Sequence, residues 1–66
     1  MVEDIIALKI QAYKNDPKRR LRDQADIQAL AEQQTNLDWK KVKFYADIFD
    51  EWETIAAIKD VVNGNS

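Results

Sequence analysis

The chain has 66 residues, 45% hydrophobic and 33% charged, with a formal net charge of −2 and a single glycine and a single proline. Such a composition describes one small ordered domain near the lower limit for an adequate core, built from long regular elements with few turns. Cysteine and histidine are both absent, which excludes disulfides, thiolate or histidine zinc sites, histidine acid–base catalysis and Ser-His triads.

Hydrophobic periodicity predicts an all-α fold, with one domain over residues 1–66. Its architecture is a compact bundle of three to four short helices, at about 2–14, 18–34, 38–49 and 51–63. In the first helix, turning about 100° per residue, Val2, Ile5, Ile6, Leu8, Ile10, Ala12 and Tyr13 fill one broad arc. Glu3, Asp4, Ala7, Gln11 and Lys14 occupy the remainder. Lys9 projects into the middle of the apolar arc, between Ile5 and Tyr13. Two roles are open to it there. Its stem covers apolar surface while the ammonium reaches water, or the ammonium is buried and paired.

The string NDPKRR interrupts the pattern. Asp16 before Pro17 is an N-cap followed by a first-turn proline. The second helix can therefore start at Pro17, although the basic residues of its first turns oppose the helix dipole. Ile27, Leu30, Ala31 and Gln34 share its apolar face, and Asp23 falls within that face one turn before Ile27. Asp23 is the natural partner for a buried Lys9, with Asp26 second. Arg22 and Asp26, at i and i+4, also have the spacing of a surface ion pair worth about 0.3–0.5 kcal/mol.

In LDWKKV, Asp38 caps the third helix and Leu37 is placed to pack on Val42 as a hydrophobic staple. Trp39, Val42, Tyr45, Ala46 and Phe49 make its core stripe, widened by Phe44 and Ile48. Asp50 and Glu53 have capping-box spacing and open the fourth helix, where Trp52, Ile55, Ile58, Val61 and Val62 share a side. Gly64 suits a C-terminal cap, and residues 63–66 are expected to fray.

Little here points to chemistry. The aromatic residues recur at helical spacing and read as core rather than as a base-stacking platform. Lys14, Lys18, Arg19, Arg20 and Arg22 crowd one connection, and in an acidic chain they read as a solvated surface rather than a nucleic-acid site. Asp23 with Asp26, and Asp47 with Asp50 and Glu51, have carboxylate spacings too common on helices to indicate a metal site. No apolar run approaches the ~20 residues of a membrane span. Glu3 and Asp4 stand where a secretory signal would be basic, so the chain reads as cytoplasmic.

As an ordered set, EDIIALKIQAY, RLRDQADIQALAE and LDWKKVKFYADIFD resemble the C-terminal helical part of nucleotidyltransferase-like proteins of the abortive-infection toxin type. The likeness covers about residues 3–52. It is carried by DIIALK ending at Lys9, the basic connection, then Arg22, Asp23, Asp26, Ile27 and Leu30, and the closing LDW…Y…IF. The resemblance implies that Lys9, Asp23 and Asp26, and more weakly Arg22, support a nucleotide site formed with a preceding α/β half.

The family's G-S…D-x-D strand–loop, which holds activating metal, does not occur in these 66 residues. The chain is therefore expected not to be catalytic by itself: a helical subdomain, or a truncated relic of such a protein. Magnesium and a nucleoside triphosphate are implied for a full-length relative alone. The expected partners are the α/β half or a second copy, giving a homo-oligomer. The alternative is a stand-alone, antitoxin-like interaction module that binds a protein through its third and fourth helices.

Overall fold

Four α-helices and one turn of 3-10 helix follow one another in the computed structural model, which describes residues 1–34 and 36–64. They are α1 (Val2–Asn15), the 3-10 turn Pro17–Arg19, α2 (Arg20–Glu32), α3 (Trp39–Ile48) and α4 (Trp52–Val62). The described residues contain no strand, so the fold is all-α. None of these helices is long and apolar enough to cross a membrane.

Local chemistry sets the boundaries. The Asp16 carboxylate accepts the Lys18 backbone N–H at 3.2 Å, and Pro17 follows it in the first turn, where its missing N–H costs nothing. Asp38 accepts from the Lys40 and Lys41 N–H groups at 3.1 and 3.2 Å and so starts α3. Leu37 beside it is half-buried against the core. At the far end Gly64 takes φ +72° and donates to the Val61 carbonyl, closing α4 as a left-handed glycine cap does. The rest of the tail expected to fray, residues 65 and 66, lies outside the described residues.

Two expectations about boundaries are corrected. α2 stops at Glu32, so Gln34 leaves the apolar face and is exposed. Asp50 does not cap α4; Glu51 is the N-cap residue, and without a side-chain cap bond. Asp50 instead adopts φ 57° in a Schellman turn that ends α3. Asp50 N–H donates to the Asp47 carbonyl at 3.1 Å, and Glu51 N–H reaches back to Ala46 at 2.8 Å. Aspartate tolerates the left-handed region better than most residues, so one residue type suits both roles and the turn's own bonds decide between them.

Polar contacts show which helix ends meet. Glu3, near the start of α1, accepts the Asp38 N–H at the start of α3 at 3.0 Å. Glu51, at the start of α4, accepts from Lys14 in the last turn of α1 and from Arg20 at the start of α2. α1 packs on α2 and α3, and α4 closes the ring against the same two helices. Inside lie Ile6, Ile10, Tyr13, Ile27, Val42, Ala46, Ile55 and Ile58, with Trp39, Phe49, Trp52 and Leu30 packed around them. The radius of gyration is 10.7 Å, close to the ~11 Å of a well-packed domain of this length.

The buried face of α1 is Glu3, Ile6, Ile10 and Tyr13, narrower than the apolar arc of its sequence. Leu8 is 64% exposed and Ile5 45%. On α3, Phe44 and Ile48 also stay outside, as does Val61 on α4.

Because a left-handed aspartate carries a steric cost that glycine avoids, Asp50→Gly is expected to raise stability by about 0.5–1 kcal/mol. Urea unfolding of the variant beside the parent chain measures this, and a loss of stability would contradict the turn geometry.

Candidate functional site

Lys9 lies at the margin of the buried face, since that face centres on Ile6, Ile10 and Tyr13. Its side chain is 27% exposed, and both roles open to it are partly realised. The ammonium donates to Asp26 Oδ2 at 2.9 Å, with Asp23 Oδ1 farther away at 3.7 Å. Asp23 is fully buried, and its closest partner is Arg19, one turn earlier on the chain, whose Nε donates to Oδ2 at 3.1 Å. The chain thus gathers Lys9, Arg19, Asp23 and Asp26 into one cluster between α1 and α2. Arg22 stands apart on the exposed side, and Asp26 turns to Lys9.

The electrostatics follow from these contacts. The Arg19 guanidinium, aided by Lys9, holds the Asp23 carboxyl below the usual carboxylate range although burial opposes this. The same contact raises Arg19. Beside the cluster, Ile5, Ala29, Leu30 and Gln33 line a shallow hollow with Lys9 and Asp26 on its wall. A charged pair there, partly open to water and framed by apolar side chains, suits a contact surface better than an enclosed reaction chamber.

A second cluster was not anticipated as a unit from the sequence. Glu51 is buried, and the Tyr13 hydroxyl donates to its Oε1 at 2.6 Å. Arg20 reaches the same oxygen at 3.2 Å, and Lys14 reaches Oε2 at 3.3 Å. Burial pushes the Glu51 carboxyl up, but the Tyr13 hydroxyl and the two cations outweigh it and leave the group below its ordinary value. Burial and the adjacent carboxylate both raise Tyr13. Arg20 also stacks over the Tyr13 ring, 5.0 Å from its centroid. The basic connection is thereby largely neutralised from within: Lys14 and Arg20 on Glu51, Arg19 on Asp23.

Glu3, assigned by periodicity to the solvent side, is the other correction. It is buried, and the Asp38 N–H holds its carboxyl below the ordinary value. A signal for it exists in the sequence: Glu3, Ile6, Ile10 and Tyr13 form one i, i+3, i+7, i+10 row. Asp47 binds Lys43 at 2.7 Å, and Asp50 lies in a turn. Among the described residues no group of three or more acidic side chains is placed to hold a metal ion.

Comparison of the chain with family models, curated proteins and solved structures finds no match in any of the three.

Two measurements check these assignments. Lys9→Met and Asp26→Asn are each expected to cost no more than about 1 kcal/mol, because their pair is part-exposed. Asp23→Asn should lower the unfolding midpoint by more than either, since it strips the buried partner of Arg19. For pH, Glu3, Asp4, Asp23 and Glu51 all ionise below their ordinary values of 4.5 for Glu and 3.8 for Asp. The stability they contribute is complete above those unfolded-state values and is lost as pH falls through the lower folded ones. Stability should therefore hold from pH 7 to about 5 and then decline. Glu51→Gln should cost about 2–3 kcal/mol at neutral pH and make the acid decline shallower. A Glu51→Gln curve parallel to that of the parent would show that Glu51 does not take part.

Proposed function

We propose that these residues form the helical part of a nucleotidyltransferase-like protein, without catalysis of their own, and that the face carrying Lys9 and Asp26 docks against a nucleotide-bearing α/β half. One observation carries the reading. Lys9, Asp23 and Asp26, the residues that the family resemblance singles out, come from two helices and are brought together within ion-pair distance. Lys9 and Asp26 stay accessible beside an apolar hollow, where a neighbouring domain would meet them. In that setting Lys9 adds positive charge near a phosphate, Asp26 orients Lys9, and the buried Asp23 fixes Arg19 behind them. Magnesium and a nucleoside triphosphate belong to the full-length protein. Arg22, exposed on the same helix, is the weaker candidate.

A second reading is a stand-alone module that binds protein. It draws support from the apolar side chains left outside the core, Leu8, Phe44 and Ile48. In either setting, self-association would cover part of that surface.

The two readings separate on the mass of the native polypeptide, recovered from its source with a tag after Ser66. A species well above 7.7 kDa that binds a nucleoside triphosphate is expected, with Lys9→Met weakening binding about tenfold, or 1.4 kcal/mol. A species of 7.7 kDa, or nucleotide binding indifferent to Lys9→Met, would overturn the first reading.

A further inference from the structure

We propose that the groove between α1 and α2 receives an amphipathic helix of a partner protein, one with aliphatic side chains on its inner face and a carboxylate that meets Arg19. The inference deepens the reading above, since it rests on the face carrying Lys9 and Asp26 being a docking surface. It holds whether or not the partner bears a nucleotide.

The groove consists of two adjoining hollows. One, of about 310 Å³, is the hollow beside Lys9 and Asp26. The other, of about 270 Å³, is lined by Ile5, Leu8, Lys9, Ala12 and Arg19, and so shares Ile5 and Lys9 with the first. Ile5 lies with Ala29, Leu30 and Gln33 at one end and Ala12 with Arg19 at the other, so α1 and α2 run antiparallel along the groove. Each wall is a single helical row. On α1 it is Ile5, Leu8, Lys9 and Ala12; on α2 it is Asp26, Ala29, Leu30 and Gln33. Both rows run i, i+3, i+4, i+7, the spacing of one helix face. Together they leave a channel about two turns, or about 10 Å, long, and a channel between two packed helices is the seat of a third. The α1 wall is apolar where it meets solvent, with Leu8 64% and Ile5 45% exposed.

The polar side chains of the groove set the charge of the partner. Lys9 is matched within the chain by Asp26 at 2.9 Å. Arg19 is matched on one edge alone. Its Nε and Nη2 donate to the fully buried Asp23 at 3.1 and 3.5 Å, and its Nη1 has no hydrogen-bond partner among the described residues. Asp23 thereby holds the guanidinium in place, and an incoming carboxylate meets a donor already oriented. A basic partner would instead bring like charge to both Lys9 and Arg19. The Arg19 side chain is 45% exposed, so the ion pair contributes register and choice of partner, while the aliphatic contacts supply affinity.

A phage-displayed library of helical peptides, about 14 residues or four turns long and varied at every position, tests the proposal when panned on the 66-residue chain. Recovered peptides are expected to carry aliphatic residues at 3–4 spacing and to share an acidic position. Added to the chain, such a peptide should shift the amide resonances of α1 and α2. Leu8→Glu and Ala29→Glu, both at exposed positions, should weaken binding at least about tenfold while helix content by circular dichroism stays unchanged. Ile48→Glu and Leu21→Glu, exposed but outside the groove, should leave it as it was. Changing the shared acid of the peptide to glutamine should also weaken binding, and by less as salt is raised. Failure to recover a helical binder would overturn the proposal, as would binders without a shared acid. So would binding that survives Leu8→Glu and Ala29→Glu, or that Ile48→Glu or Leu21→Glu abolishes. Nucleotide binding is measured separately on the native polypeptide, so the two readings fail separately.

Discussion

The carboxylate of Glu51 lies where three segments of this short chain converge, and the closure of the bundle depends on it. Its backbone N–H ends α3 at Ala46, and its side chain holds Tyr13 and Lys14 from the last turn of α1 and Arg20 from the start of α2. With a core of a few isoleucines, one valine, one alanine and a tyrosine, a 66-residue chain has little hydrophobic margin. A buried carboxylate would ordinarily be a liability. Here it is satisfied on both oxygens, and among the described residues no buried side-chain polar atom lacks a partner. The network sets which helix ends meet, a choice that non-directional apolar contacts leave open.

The same device recurs at the head of the buried stripes of α1, α2 and α4, but not of α3. Glu3 leads Ile6, Ile10 and Tyr13 on α1; Asp23 leads Ile27 and Ala31 on α2; Glu51 leads Ile55 and Ile58 on α4. Acids near helix N-termini are favoured by the helix dipole, and each of these also finds a donor from another segment or from the preceding turn. The bundle therefore carries polar bonds at its ends and apolar contacts in its middle.

How much of this is legible in the sequence depends on whether a residue announces itself locally. Asp16 with Pro17, Asp38, the isoleucine rows of α1 and α4, and Ile27 with Ala31 on α2 do so, and they specify the helices and most of the core. Lys9 and Asp23 are legible as charged residues set among apolar ones, although the primary partner of Lys9 is Asp26 because Lys9 sits at the edge of the buried face. Glu3 and Glu51 are harder to read, since a charged residue at a helix end is ordinarily a solvated one; the row that Glu3 shares with Ile6, Ile10 and Tyr13 is the one hint that it is buried. Their partners arrive from far along the chain, Asp38 for Glu3 and Tyr13 with Arg20 for Glu51, 35, 38 and 31 residues away in sequence. The outer arc of α1 errs in the opposite sense: Ile5 and Leu8 have core character, and the fold leaves them outside. Buried carboxylates and exposed aliphatics together separate what holds this fold from what it leaves at the surface.

That separation makes Glu51 structural and leaves Lys9 available at the surface. Two double-mutant cycles on the folded chain test it most directly, Tyr13→Phe with Glu51→Gln and Lys9→Met with Asp26→Asn. A coupling energy of about 1.5–3 kcal/mol is expected for the first pair, and one within about 0.5 kcal/mol of zero for the second. Additive losses at Tyr13 and Glu51, or a Lys9–Asp26 coupling as large as theirs, would contradict it.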